Sequence, residues 1–453
     1  MSQYQAPLRD MRFNIEEVFD FTSHYASFPQ GREASPDIVT AVLESAAQFA
    51  EEVLAPLDAI GDKIGCTWHD GEVTTPPGFK EAYAEYIGNG WTTLAMPTEL
   101  GGQGLPPSLA GFCMEIMCSA NHAWTMYPGL SLGGIQTIAA HADDDLKRRY
   151  LPNLIAGTWS ATMCLTEAHC GSDLGLLRTR ATPTADGSYR ISGSKIFISS
   201  GEHDLTDNIV HIVLARLPDA PPGIKGISLF LVPKFMVDEK GQRGSRNTVR
   251  CGSIEHKMGI HGNATCVINF DEATGYLISP PHKGMSCMFT FINESRMGVA
   301  QQALSQIEVS HQTALRYAHE RVQFRASMRS NPDAAADPII VHPDIRRMLL
   351  TQRAFAACLA NPERHASAFL LACFFALHAR PVGAQPRRDF HSTEQQKRQH
   401  EGYEVIADAE DEQRADERPA GRQHGAGDAA GDGRRCPRSA FVRHPHRGYR
   451  PGR

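Results

Sequence analysis

The chain has 453 residues, with 45 Lys+Arg against 51 Asp+Glu and a formal net charge of −6. At about 150 residues per domain this length predicts about three domains or lobes, and 42% hydrophobic with 21% charged residues is a globular composition. The mildly acidic balance supplies no basic excess for a phosphate backbone, which sets nucleic acid aside as a main partner, and no apolar run reaches the ~18–20 residues of a membrane span.

The start, MSQYQAPLRDMRFNIEEVFDF, has no basic-then-apolar leader, so a cytoplasmic location is expected. The 11 cysteines contain no CxxC pair and scatter as singles. That pattern predicts buried free thiols, with neither a disulfide framework nor a metal site. His444 and His446 form an HxH, but inside an Arg- and Gly-rich stretch, and no metal role is expected there.

In chain order, residues 1–34 form an N-terminal extension and residues 35–157 read as a helical lobe. Ser35-Pro36 is an N-cap followed by proline at the first helical position. It opens DIVTAVLESAAQFAEEVLAPLDAI, where Ile38, Val42, Leu43, Phe49, Val53 and Leu54 recur at near-helical spacing. FKEAYAEYIGNGW is a short helix stopped by Gly88 and Gly90, and PTELGGQGLPPS is a loop. LAGFCMEIMCSANHAW is apolar almost all round and should be buried. LSLGGIQTIAAHADDDLKRRYLPNLIAG reads as two more helices.

The period changes over residues 158–275. YRISGSKIFISS, NIVHIVLARL, GISLFLVPKF and ATCVINFDEA are short, β-branched and partly alternating, with Gly/Pro turns between them. They predict a small β-barrel or sandwich. Residues 284–356 return to helix: one long helix from about Gly284 to Phe324, then another from about Asp344 to Phe355. The fold class is therefore α+β and multidomain, with a helical lobe, a small middle barrel and an incomplete C-terminal helical bundle.

Residues 357–453 stand apart. From Pro381 onward there is no Leu and no Met, and such a segment cannot bury enough apolar surface to offset the entropy of ordering it. Two readings stay open: an evolved disordered tail, or a reading-frame error near Ala356–Ala357 in a GC-rich gene. The run ASAFLLACFFALHA has 14 residues, too short to span a bilayer.

The chemistry concentrates in MCLTEAHCGSD, Met163 to Asp173, where a strand-like stretch runs into Thr166-Glu167 and then a turn with Gly171 and Ser172. Backbone N–H groups and small hydroxyls in such a turn can bind a flat heteroaromatic ring or a phosphate, and a strand ending in a capped turn is the plainer alternative. Followed by SGSKIFISSG, KMGIHGN…INFDEA and a long helix ending in ERVQF, this order resembles the acyl-CoA dehydrogenase family over about residues 35–356. The family pattern C(V/L)TEPxxGSD is present with Ala168 in the proline position. The extension YQAPLRDMRFNIEEVF and the segment SSGEHDLTDNIVHIVLARLPDAPPGIKGISLFLVPK are similar to the longer branch that contains 3-methylmercaptopropionyl-CoA dehydrogenase.

The resemblance implies FAD as cofactor, held by Met163, Leu165, Thr166, Gly171 and Ser172, with further contacts from Phe197 and Ser199 in KIFISS. Phe197 stands where the family commonly has Trp; without the resemblance it would read as a core aromatic on a strand. Arg321 in ERVQF would reach the FAD pyrophosphate across a subunit interface, and His342 would lie near the adenine end. Ser172, Asn293, Glu294 and Arg296 would border the acyl-CoA substrate. The implied reaction is α,β-dehydrogenation of an acyl-CoA thioester, passing electrons to an acceptor such as an electron-transfer flavoprotein.

The family's base is a Glu in a YEGT-like motif after GGxGY, and neither string occurs here. Glu401-Gly402-Tyr403-Glu404 looks similar only by accident of composition, so no catalytic residue is named. Family members are homodimers or homotetramers packed through the C-terminal bundle, which is damaged in this chain. Three readings follow: a dehydrogenase impaired by loss of its C-terminal end, an inactive flavin or acyl-CoA binder, and an interaction protein with an evolved tail.

Overall fold

The structure, a computed structural model, describes residues 4–327, 329 and 331–359. The expectations for the low-complexity tail, for Glu401–Glu404 and for His444 and His446 lie outside the described residues.

The first lobe comprises α1 (Leu8–Phe13), α2 (Phe21–Ala26), α3 (Pro36–Phe49), α4 (Ala55–Ile64), a hairpin of β1 (Thr67–His69) and β2 (Glu72–Thr74), then α5 (Phe79–Gly88), α6 (Pro107–Ala120), α7 (His122–His141) and α8 (Asp144–Ile155). The extension joins this lobe, since Tyr4, Met11, Ile15 and Tyr25 are buried in its core. Ser35 Oγ accepts from Ile38 N–H, the cap expected at the start of α3. The buried stripe of α3 runs through Val39, Leu43, Ala46 and Ala47, however, and Ile38 lies off it, 43% exposed.

Between α3 and α4 the helix widens into a π turn, Ala50–Leu54, where Ala55 N–H donates to Ala50 O. Pro56 follows at once; it has no N–H to give and its ring crowds the preceding turn, so the chain absorbs it by widening. The stretch read as one buried helix, LAGFCMEIMCSANHAW, breaks at Asn121. Asn121 adopts an extended conformation, accepts from Trp124 N–H at 3.0 Å and donates to Leu54 O at 3.2 Å, capping α7. Trp124 is thereby set at the lobe centre against Phe49, Tyr83 and Tyr86, with its indole N–H on Phe79 O.

The middle lobe comprises β3 (Trp159–Cys164), β4 (Arg180–Pro183), β5 (Tyr189–Ser199), β6 (Asn208–Arg216), β7 (Ile227–Pro233), β8 (Phe235–Val237), β9 (Arg243–Arg246), β10 (Val249–Ile254) and β11 (Thr265–Leu277). Pairings β11–β5, β5–β4, β4–β6, β6–β7 and β7–β11 close a ring, with β10 and β3 at its margins. The expected barrel is present. Strands β6 and β7 read as continuous apolar runs because both faces are covered. Val213, Ala215, Phe230 and Val232 face Ile191, Ile198 and Ile268. Ile212, Leu214, Leu229 and Leu231 belong to a second cluster with Tyr150 of α8 and Leu146.

The last helices are α9 (Gly284–Glu320) and α10 (Pro343–Leu359). Helix α9 stops at Glu320 rather than Phe324, because residues 321–323 pair with 337–339: Val322 bridges Pro338, Ile339 N–H donates to Arg321 O and Gln323 N–H to Asp337 O. With the bundle incomplete, Met288, Phe291, Met297, Leu304 and Ile307 are expected to form an exposed stripe on α9; Met288, Phe291 and Leu304 are instead buried, and Met297 and Ile307 are half-buried. Helix α9 lies along α6 and α7 instead, with Gln136 bonded to Glu294 and Ser305 to Glu115 O.

Candidate functional site

At the end of β3 the chain leaves the sheet at Leu165, and Thr166 O accepts from Ile196 N–H at 2.9 Å. This bond lays MCLTEAHCGSD against KIFISSG, so the two segments meet along one edge. A second tie lies beneath it. Lys195 is fully buried and donates to Leu165 O and to Glu167 Oε1, both at 2.9 Å. Glu167 also accepts from Thr179 Oγ1 at 2.6 Å, Thr179 N–H at 3.0 Å and Arg178 N–H at 2.8 Å. Burial alone would raise the Glu167 carboxyl, but the Lys195 charge and these donors outweigh it and hold the group down to about 2. Burial lowers the Lys195 ammonium below its ordinary range, against the raising effect of Glu167.

Glu167 and Cys170 exchange both backbone hydrogen bonds, at 2.8 and 3.0 Å, which closes the turn. Gly171 follows where an added Cβ would come within 3.2 Å of Thr166 Cγ2. Across from the turn, β5 bulges. Cys266 pairs with Ile198 and Ile268 with Lys195, so two β5 residues oppose one on β11. Phe197 sits in that bulge at φ +59 and is 57% exposed. A bulge re-aims a side chain, and here it turns a large aromatic outward instead of into the barrel. Phe197 is thus no core aromatic, and its face is free for a flat ligand.

The other expected residues fall into two further groups. Arg321 caps α9; its Nη2 donates to Gln323 Oε1 at 3.0 Å, and His342 Nε2 lies 2.8 Å from Gln323 O. Both are therefore brought to one spot, although 21 positions separate them. Asn293, Glu294 and Arg296 lie on α9: Arg296 donates to Asn293 Oδ1 at 3.3 Å, and Gln136 of α7 donates to Glu294 Oε2 at 3.0 Å. Burial raises the Glu294 carboxyl against the lowering effect of Gln136. Among the described residues no hydrogen bond or ion pair joins these two groups to the Met163–Ser172 turn. Sequence reasoning missed Lys195, Thr179 and Gln136 as partners; a lysine within the β-branched run KIFIS was the one visible signal.

The acyl-CoA dehydrogenase N-terminal domain matches residues 38–158 and the middle domain of the same family matches residues 162–273. A 3-methylmercaptopropionyl-CoA dehydrogenase of Ruegeria pomeroyi is 44% identical over 357 residues, 78% of this chain and 59% of that protein. The chain belongs to the acyl-CoA dehydrogenase family. Butyryl-CoA dehydrogenase of Megasphaera elsdenii has the same fold, with a TM-score of 0.60 at 24% identity over 74% of this chain and 79% of that one. So does a glutaryl-CoA dehydrogenase of Mycobacterium smegmatis in complex with FADH2, with a TM-score of 0.57 at 19% identity over 84% of this chain and 82% of that one. This acyl-CoA dehydrogenase homologue spans about three fifths of the length of the curated relatives it matches.

Proposed function

We propose that this chain derives from an FAD-dependent enzyme that dehydrogenates an acyl-CoA thioester between its α and β carbons, and that turnover is impaired in the chain as written. The observation that carries the reading is the Thr166–Ile196 junction, with the Gly171 turn on one side and the outward Phe197 ring on the other. This arrangement fits a flavin. Gly171 leaves room for close backbone approach, and Phe197 offers an unpacked aromatic face. Membership of the family and a structural neighbour that carries FADH2 support the same cofactor.

When bound, FAD supplies the acceptor for the hydride lost from the β-carbon. The chain's own residues would do the rest. Met163, Leu165, Thr166, Gly171, Ser172, Phe197 and Ser199 would hold the flavin ring, Arg321 would reach the pyrophosphate across a subunit interface, and His342 would lie near the adenine end. Ser172, Asn293, Glu294 and Arg296 would border the thioester. Acceptance of the α-proton needs a carboxylate base, and the GGxGY and YEGT strings that would supply it are missing. The acyl group best supported is 3-methylmercaptopropionyl, from the identity to the Ruegeria pomeroyi protein. An electron-transfer flavoprotein as acceptor, a cytoplasmic location and a homo-oligomeric state complete the proposal.

The test has two arms. FAD titrated into the purified chain should give a stoichiometric yellow complex that Thr166→Ala weakens; absence of any complex would overturn the cofactor assignment. An intact family C-terminus joined after Ala356 should then restore dehydrogenation of an acyl-CoA with an artificial acceptor. Full activity in the unmodified chain would overturn the impairment, and Glu294 would become the first base to examine.

A further inference from the structure

The Met163–Ser172 turn carries a second set of donors that neither the flavin reading nor the acyl-CoA reading uses. Glu167, His169 and Cys170 each place one ligand atom so that all three lie within 4.8 Å of one another. We propose that this cluster binds a thiophilic divalent cation, with Zn2+ as the natural occupant, through a Glu167 carboxylate oxygen, a His169 imidazole nitrogen and the Cys170 sulfur. A water would complete a tetrahedron, the arrangement of zinc sites with three protein ligands and an open position.

Four observations carry the assignment. The ligand set is mixed N, S and O, a combination that suits Zn2+ and excludes Mg2+ or Ca2+, which take oxygen ligands. The turn is already closed by the paired Glu167–Cys170 backbone bonds, so the backbones that carry two of the three ligands are held side by side before any ion arrives. The Glu167 oxygens are unequally engaged: Oε1 takes Lys195 and Thr179, whereas Oε2 takes only Arg178 N–H, at 2.8 Å, and stands 3.7 Å from His169 Nε2. Oε2 therefore keeps an uncommitted lone pair beside the imidazole.

The fourth observation concerns His169 itself. Its Nε2 lies 3.0 Å from Leu176 O. A carbonyl only accepts, so Nε2 carries the proton and Nδ1 the lone pair. A metal-bound imidazole ordinarily donates its other N–H to a carbonyl or carboxylate, and Leu176 O already provides that partner. The imidazole is exposed, whereas Cys170 is buried. A tetrahedral zinc with bonds of about 2.0–2.3 Å separates its ligands by about 3.3–3.8 Å, so the three donors, all within 4.8 Å of one another, would draw together on the ion. Binding displaces the thiol proton to solvent, so charge and atoms balance without any redox partner.

The ion would stand between the two stretches proposed to hold FAD, Leu165–Thr166 and Gly171–Ser172. Its occupancy would thereby set the spacing of that edge. The cation assignment does not depend on the flavin reading, and its test uses neither flavin nor acyl-CoA.

The full chain, free of flavin, is titrated with Co2+ and followed by absorbance. The expected result is one equivalent of Co2+ with a near-ultraviolet thiolate-to-cobalt charge-transfer band, lost on addition of Zn2+. Cys170→Ser should abolish the band, and Cys287→Ser should leave it intact. His169→Ala, a change at an exposed position that should leave the circular dichroism spectrum unaltered, should weaken Co2+ binding by about tenfold or more, because loss of even an outer partner of a metal site costs that much. No thiolate band, or a band unaltered by either the Cys170 or the His169 substitution, would overturn the proposal.

Discussion

Replacing Lys195 with Met tests whether the buried Lys195–Glu167 pair is what holds the two site segments together. Lys195 is fully buried and Glu167 only 5% exposed, so the change removes one charge and leaves its partner in a dry site. Breaking a buried pair from one side costs about 3–5 kcal/mol, because the remaining charge loses its compensation. Glu167 keeps three donors, two from Thr179 and one from Arg178, which places the expected loss near the lower end, about 3 kcal/mol or about a hundredfold in the folding constant. Lys195→Met/Glu167→Gln removes both charges while Gln keeps an acceptor for Thr179. The double variant should therefore lose less than the sum of the two single losses. Urea unfolding of the four proteins, followed by tryptophan fluorescence, gives the cycle. A Lys195→Met midpoint equal to the parent's, or strictly additive losses, would refute the reasoning.

Burial, reinforced by the Lys234 charge, lowers the buried imidazoles of His203 and His211 from 6.5 to about 3. The unfolded chain protonates these rings below about pH 6.5 and the folded chain does not, so their contribution is complete above that pH and is lost as pH falls toward 3, by about 1.4 kcal/mol per unit for each ring. A His203→Gln/His211→Gln variant should show a shallower fall in unfolding midpoint between pH 7 and pH 5; an unchanged slope counts against this account. Gly133→Val should lower the melting temperature by the equivalent of about 1–3 kcal/mol, since a Cβ there would lie 2.4 Å from the Phe291 ring. Gly298→Ala on α9, where nothing lies within 4 Å, should be neutral or stabilising, and equal losses at both positions would contradict the packing argument. Phe197→Ala should weaken FAD binding by about two- to tenfold, the value of one aromatic contact, with little change in unfolding midpoint because the ring is exposed; a large stability loss with unchanged FAD affinity would return Phe197 to a core role.

The succession of helical lobe, barrel and long helix was legible in the sequence, because periods of 3.6 and 2 and the Gly/Pro breaks are local properties of the chain. So was the Ser35 cap, which needs only its neighbours. The start of the Met163–Ser172 turn was legible through its motif alone. Tertiary structure decided what depends on distant partners. Asn121 breaks an apolar run because Leu54 O waits for its amide, 67 positions away. Phe197 turns outward because β11 offers one residue against two on β5. Met288 and Phe291 find cover from α7, α8 and the barrel strands, through contacts that no helical period can announce. Lys195 looks in sequence like any strand lysine, and only the folded chain places it on Glu167, 28 positions earlier. Local pattern fixes which elements form, because it depends on backbone geometry and side-chain alternation; which polar groups are buried together depends on how those elements pack, and that is settled only when the chain has closed on itself.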